Sequence, residues 1–95
     1  MKVRVSPQAG RDLRAIATWV SKDRPNAARK LVRELRAASS ALADHPHAYA
    51  FVEGREEAGI RRVPQGRYVI CYSVEANTIA ILRILDGARD IPSVL

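Results

Sequence analysis

The chain has 95 residues, 47% of them hydrophobic, which allows one small domain over residues 1–95 and argues against disorder. No apolar run approaches the roughly 18 residues that a membrane span needs, and no signal-peptide pattern opens the chain. A formal net charge of +6, carried mostly by arginine, suits a nucleic acid or an acidic protein partner, although a GC-rich coding sequence produces the same bias.

The first residues predict a strand followed by a helix. In "MKVRV", valine alternates with basic residues, which indicates a short strand with one solvated face. Ser6 and Pro7 have the residue types preferred at a helix N-cap and first helical position. Apolar residues then recur at helical spacing, so we predict a first helix over about 7–22, with Trp19 at the edge of its apolar stripe.

A second amphipathic helix is predicted from Pro25 to about Asp44, where "DHP" ends it because proline cannot continue a helix. Its predicted buried face consists of Ala28, Leu31, Val32, Leu35, Ala38 and Leu42. Another face carries Arg29, Arg33 and Arg36. The short connection between the helices predicts an antiparallel hairpin. Residues 44–59 show no periodicity and predict a loop, which contains Tyr49, Phe51 and several solvated glutamates.

The remaining segments predict strands. Residues 60–64, 67–74 and 78–85 are rich in β-branched and aromatic residues, and the turn sequences "QG" and "EAN" separate them, so two hairpins are expected. The last strand is apolar on both faces apart from Arg83, which predicts a central position. The order βααβββ predicts an α+β fold, with a helical hairpin packed on one face of a mostly antiparallel four-stranded sheet.

Motifs for catalysis or metal binding are lacking. The sequence contains no GxSxG, HExxH, P-loop or dinucleotide fingerprint. Cys71 lies between apolar strand residues, as a buried structural thiol does, and a single cysteine fits the reducing cytoplasm, where we expect the protein. His45 and His47 are alone as metal-ligand candidates, since no third histidine or second cysteine supports them. We therefore predict no catalytic residue, no metal and no cofactor.

Arginine on the strands is the strongest remaining signal. Arg61 and Arg62 are adjacent and should point to opposite faces of their strand. One of them could join Arg83 and Arg89, at the end of the last strand, in a basic surface on the open side of the sheet. Such a surface suits a phosphate backbone or an acidic peptide.

Structural roles are an alternative for Arg83 and for Trp19. Arg83 could pair with an acidic residue such as Asp86 or Asp90 and thereby hold the C-terminal residues in place. Trp19 could be a core-edge residue rather than a half-exposed anchor for a partner. The sequence leaves these alternatives open.

Four segments carry a family resemblance: "DLRAIATWV", "PNAARKLVREL", "PQGRYVICY" and "IAILRILDGARD". Their order and spacing, from Val3 to Asp90, resemble the RelE/ParE superfamily of toxins from bacterial type II toxin–antitoxin systems. The last two segments have the ParE-like form, and the acidic "EGREEAG" stands where RelE-like nucleases tend to carry lysines. The tail "DIPSVL" lacks the His or Tyr that those nucleases use, and Asp86 stands where many ParE-like relatives have His.

The resemblance implies three alternative functions. A ParE-like toxin poisons DNA gyrase without being an enzyme, and this is the function we expect. A RelE-like toxin is a ribosome-dependent ribonuclease that cuts mRNA. Arg61, Arg62 and Arg83 would then bind phosphate, although the best candidate base, Tyr72, lies within a strand. A degenerate member would bind its antitoxin and have no target.

An antitoxin is the partner that the resemblance implies in every case. We expect it to present an acidic, amphipathic segment and to form a hetero-oligomer such as a heterotetramer through its own dimerisation. Aromatic anchors and complementary charge suit such an interface. The candidate antitoxin-binding residues are Trp19, Arg29, Arg33, Arg36, Tyr49 and Phe51. The candidate target-binding residues are Arg61, Arg62, Arg83 and Arg89.

Overall fold

Helices and strands follow one another in the predicted order βααβββ, with one short helix added at the end. The computed structural model describes residues 1–95. The elements are β1 (Lys2–Val5), α1 (Pro7–Ser21), α2 (Pro25–Ala41), β2 (Ile60–Gln65), β3 (Tyr68–Glu75), β4 (Thr78–Asp86) and α3 (Ile91–Val94), and a 3-10 turn over Leu42–Asp44 follows α2. None of the helices combines the length and the hydropathy that crossing a bilayer requires.

Local signals in the sequence account for where the helices begin and end. The Ser6 side chain accepts a hydrogen bond from the Ala9 N–H at 3.1 Å, which satisfies one of the free amides at the start of α1. Pro7 and Pro25 occupy early helical positions, where a missing N–H costs nothing. Pro46 follows the 3-10 turn and prevents α2 from continuing.

The sheet has the strand order β1-β4-β3-β2. β1 lies parallel to β4, while β4 with β3 and β3 with β2 are antiparallel pairs. The predicted α+β fold with a mostly antiparallel sheet is therefore confirmed. β4 lies between two strands, as its apolar residues on both faces predict.

One face of the sheet packs against the helical hairpin. Tyr68, Ile70 and Tyr72 alternate along β3 and share a buried cluster with Leu13 of α1 and Leu35 of α2. Alternate residues of a strand point to the same face, so this face of β3 belongs to the main core.

The opposite face of the sheet is covered over part of its area, whereas the sequence predicted an open side. Val69, Cys71 and Leu85 form a second buried cluster there with Val52 of the long loop and Ile91 of α3. Apolar side chains on this face remove surface from water only if another segment covers them. The loop and α3 provide that cover, which the prediction missed.

Two tight turns connect the last three strands and share a positive φ at the same position. Gln65 pairs with Tyr68 across the first turn, and Glu75 pairs with Thr78 across the second, so each turn has two central residues. The first central residue has a positive φ in both turns, 61° at Gly66 and 51° at Ala76. Glycine adopts this conformation freely, but a Cβ makes it unfavourable. The second turn is therefore strained where the first is not.

Replacing Ala76 by glycine should stabilise the protein. The substitution Ala76→Gly relieves the left-handed conformation at a cost in unfolded-state entropy, and we expect a net gain of about 0.5–1 kcal/mol in the free energy of unfolding. Urea unfolding followed by circular dichroism measures the change. The matched control is Gly66→Ala, which should lower stability by about 1 kcal/mol. A loss of stability in both variants would contradict the strain assigned to Ala76.

Candidate functional site

Arg83 is held by an acidic residue of α1. Its guanidinium donates to both carboxylate oxygens of Asp12, from Nε at 2.8 Å and from a terminal nitrogen at 3.1 Å. The two side chains are only 20% and 12% exposed. Hydrogen bonding to Asp12 raises the pKa of Arg83, so the arginine stays charged.

The predicted partner of Arg83 was wrong. The sequence suggested Asp86 or Asp90, which are close to Arg83 along the chain, whereas Asp12 lies 71 residues away from it. A β-bulge explains the difference. Cys71 pairs with Arg83 while Tyr72 pairs with Ile81, so β4 contains one extra residue at this point. A bulge redirects the side chains beside it, and Arg83 here reaches α1.

Asp86 has a different partner. Its carboxylate accepts from the Ala88 N–H at 2.9 Å and from the Arg67 guanidinium at 2.5 and 3.1 Å. These two donors hold the pKa of Asp86 below its usual value, with the Ala88 N–H as the larger cause. At the end of β4 this chain therefore has a carboxylate that orders the following turn.

Arg61 binds the long loop. One of its terminal nitrogens donates to the Tyr49 carbonyl at 2.6 Å and to the His47 carbonyl at 3.3 Å. The guanidinium also lies 4.0 Å from the centre of the Phe51 ring, a cation–π contact. These contacts fix residues 47–51 against the edge of the sheet.

Arg62 points to the other face, as predicted for adjacent strand residues. It pairs with Cys71 of the second cluster, whereas Arg61 pairs with Tyr72 of the main core. Arg62 forms no salt bridge. Burial raises the pKa of the Cys71 thiol to about 11 although Arg62 and Arg83 oppose the rise, so the thiol is protonated at neutral pH.

The four candidate target-binding arginines have different surroundings. Arg61 and Arg83 bind separate segments, the long loop and α1, and Arg62 lies beside the second cluster. Arg89 lines a cleft beside α1. Arg62 and Arg83 nevertheless pair with the same residue of β3, Cys71. The shared basic surface therefore stays a prediction.

The cleft that contains Arg89 is centred on Trp19, and we call it the Trp19 cleft. It consists of two adjoining cavities of about 260 and 300 Å³, which share Trp19, Arg67 and Tyr68. The other lining residues are Asp12, Ala15, Ile16, Val20, Asp23, Arg24, Ala27, Leu31, Ile84, Leu85, Asp86 and Arg89. The Trp19 side chain is 70% exposed, which favours the exposed interpretation of this residue over the core-edge one.

A separate groove runs between the two helices, and we call it the helical groove. Its volume is about 470 Å³, and it is lined by Ala17, Thr18, Ser21, Pro25, Ala28, Arg29, Val32 and Arg33. Arg29 and Arg33 add positive charge to a largely small and apolar lining. Arg29 also donates to Asn26 within its own helix.

The candidate antitoxin-binding residues occupy three places. Arg29 and Arg33 lie in the helical groove, with exposed Arg36 further along α2. Trp19 lies in its own cleft. Tyr49 and Phe51 are partly exposed on the loop that Arg61 fixes. The candidate antitoxin-binding residues therefore lie on several surfaces.

The residues that could act as acid or base in a nuclease are Tyr72, His45 and His47. Tyr72 is fully buried and donates its hydroxyl proton to the Pro46 carbonyl at 2.9 Å, and burial raises its pKa. His45 and His47 are exposed on the loop. No group of three or more His, Cys, Asp or Glu side chains could hold a metal ion.

Sequence reasoning missed three residues that organise these surfaces. In the sequence, Asp12 is one of several polar residues of the predicted first helix, and Arg67 is the first residue of a predicted strand. Arg55, within the acidic loop, donates to the carbonyls of Pro92 and Leu95 at 2.9 Å each and so holds α3. A basic residue amid glutamates was the only signal that could have singled out Arg55.

Comparisons with known proteins identify a family and a fold. Residues 3–91 match the family described as "ParE toxin of type II toxin-antitoxin system, parDE". The fold is similar to that in a solved structure of a chromosomal ParDE TA system from P. aeruginosa, with a TM-score of 0.78 and 24% identity over 90% of this chain and 95% of that chain. No curated protein matches the chain in sequence. The resemblance drawn from the four sequence segments is confirmed.

Removing Arg83 should destabilise the protein strongly. The variant Arg83→Ala leaves the Asp12 carboxylate mostly buried without its cation, and we expect a loss of about 3 kcal/mol in the free energy of unfolding. Arg89→Ala removes the same charge from an exposed site and should change stability by less than about 0.5 kcal/mol. Thermal and urea unfolding measure both. Equal stability of the two variants would contradict a structural role for Arg83.

Proposed function

Because this chain belongs to the family of ParE toxins of type II toxin–antitoxin systems, we propose that it acts in the cytoplasm as a non-enzymatic poison of DNA gyrase. A cognate antitoxin neutralises it. The observation that carries the proposal is the match to the ParE family over residues 3–91. Two features of the structure support it. The residues that a nuclease would need are engaged in contacts within the fold, and the helical groove is open to a partner.

The alternative, a ribosome-dependent mRNA nuclease, receives less support from the contacts. Cleavage needs a general base near the 2′-hydroxyl and cations on the scissile phosphate. Arg61 and Arg83 are engaged by loop carbonyls and by Asp12, and the Tyr72 hydroxyl is bound to Pro46. The two arginines and the tyrosine hydroxyl therefore hold separate parts of the fold together. This favours a toxin that binds its target over one that cleaves RNA.

The helical groove suits the expected antitoxin segment. A small apolar lining can receive the apolar side of an amphipathic helix. Arg29 and Arg33, at the same groove, can then face acidic side chains of that helix. Complementary charge of this kind favours the right partner and speeds association. With a dimeric antitoxin, one toxin on each copy gives a heterotetramer.

Purified toxin should inhibit DNA supercoiling by gyrase. We expect loss of supercoiled product together with trapped, cleaved DNA, and recovery of activity when the antitoxin is added in equal amount. Agarose gel electrophoresis of plasmid DNA measures both effects. Folding of the toxin is checked first by circular dichroism. Unchanged supercoiling with folded toxin would contradict the proposal, and mRNA cleavage on translating ribosomes would then establish the alternative.

Charge reversal in the helical groove should weaken antitoxin binding. The double variant Arg29→Glu, Arg33→Glu places like charges opposite an acidic segment, and we expect at least about a tenfold rise in the dissociation constant, measured by calorimetry. The matched control is Arg11→Glu, Arg14→Glu, which makes the same charge change at exposed positions of α1 outside the groove. Equal weakening in both double variants would show that the groove is not the binding surface.

A further inference from the structure

Trp19 presents a free aromatic surface. It is the single tryptophan of the chain, and 70% of its side chain is exposed. The Lys22 ammonium lies 5.2 Å from the ring centre, so a cation already stands beside the indole. Burying a ring of this size normally stabilises a protein by more than 1 kcal/mol. Its exposure here indicates that the ring has a role in binding.

The charge around Trp19 is predominantly positive. Arg24, Arg67 and Arg89 line the Trp19 cleft, and Lys22 lies at its edge. Two acidic residues of the lining are already neutralised, because Asp12 binds Arg83 and Asp86 binds Arg67. Among the lining residues and Lys22, Asp23 is then the one carboxylate without a salt bridge, whereas three cations, Lys22, Arg24 and Arg89, have none. The cleft thus attracts a ligand with several negative charges.

We propose that the Trp19 cleft binds single-stranded nucleic acid. A base stacks on the Trp19 ring, and its neighbouring phosphates contact Lys22, Arg24 and Arg89. Proteins that bind single strands without sequence preference combine these two features, an exposed aromatic ring and a positively charged groove. This activity lies beyond the proposed inhibition of gyrase and does not depend on it.

The shape of the site favours a base over an apolar peptide side chain. A peptide anchor needs a hole that buries it, whereas here the large apolar group is the protein's own exposed ring, which lines two open cavities of about 260 and 300 Å³. Stacking requires only an accessible ring face. An acidic peptide remains the competing ligand, and the experiment below distinguishes the two.

Trp19 itself reports on occupancy of the site, because no other tryptophan contributes fluorescence. The purified chain is titrated with an oligothymidylate of about twelve nucleotides, a length within the range that single-strand sites cover. We expect saturable quenching of the emission as bases stack on the indole. The logarithm of the binding constant should fall linearly with the logarithm of salt concentration, with a slope of about −0.7 for each phosphate contacted.

Variants distinguish stacking of a base on Trp19 from attraction of the oligonucleotide to the net positive charge of the protein. Binding of a labelled oligothymidylate is followed by fluorescence anisotropy. Trp19→Ala should weaken it by about tenfold, and Trp19→Phe should restore part of the loss. The double variant Arg24→Ala, Arg89→Ala should reduce the magnitude of the salt slope by about 1.4. The control Arg33→Ala, Arg36→Ala makes the same charge change on α2 and should leave that slope unaltered. Circular dichroism verifies that each variant is folded.

Each remaining outcome overturns the proposal. Absence of quenching by the oligonucleotide shows that no base stacks on Trp19. Equal losses in the two arginine double variants show attraction to net charge without a site. Stronger quenching by a glutamate-rich peptide than by the oligonucleotide assigns the cleft to an acidic protein. None of these results bears on gyrase inhibition, which the supercoiling assay tests separately.

Discussion

Asp12 joins the helical layer to the sheet at the point where the sheet lacks a strand. β1 pairs with β4 only from Thr78 to Ile81, so the following residues of β4 have no strand on that side. Buried backbone amides left without a partner are costly. The Asp12 carboxylate accepts from the Ile84 N–H at 2.9 Å and at the same time binds the Arg83 guanidinium. One side chain therefore completes the strand edge and compensates a mostly buried cation.

The position of α1 against β4 determines the shape of the Trp19 cleft. Asp12, Ala15, Ile16 and Trp19 are spaced so that they share one helix face, and fixing Asp12 on β4 orients that face toward the strand end. Gly87 lies against Arg67, which lines the cleft: the Gly87 N–H donates to the Arg67 carbonyl at 2.7 Å, and a Cβ on Gly87 would come 3.0 Å from that oxygen. The close approach holds the turn that carries Arg89. The Trp19 cleft and the fold thus depend on the same few contacts.

Local patterns in the sequence were sufficient to predict the helices and strands, but not the side-chain contacts between distant parts of the chain. Helical periodicity and proline predicted α1 and α2, and alternating apolar residues predicted the strands. Apolar residues on both faces predicted that β4 lies at the centre of the sheet. The partner of Arg83 could not be found this way, because it lies 71 residues away and depends on a bulge that no local pattern marks. α3 has four residues, too few to show a period, and Arg55, which holds it, lies 37 residues from Pro92 along the chain. The Trp19 cleft depends on contacts between residues distant in sequence, so it could not be predicted.

The parallel pairing of β1 with β4 also sets the order of events during synthesis. Ser6, just after β1, bonds to Leu82 across a separation of 76 residues. The first strand to be made therefore waits until the central strand has left the ribosome, while α1 and α2 can associate through contacts close in sequence. During that interval the hairpin exists without the sheet that covers its apolar side. The nascent chain cannot have the finished surface, so this protein becomes native only after most of it has been translated.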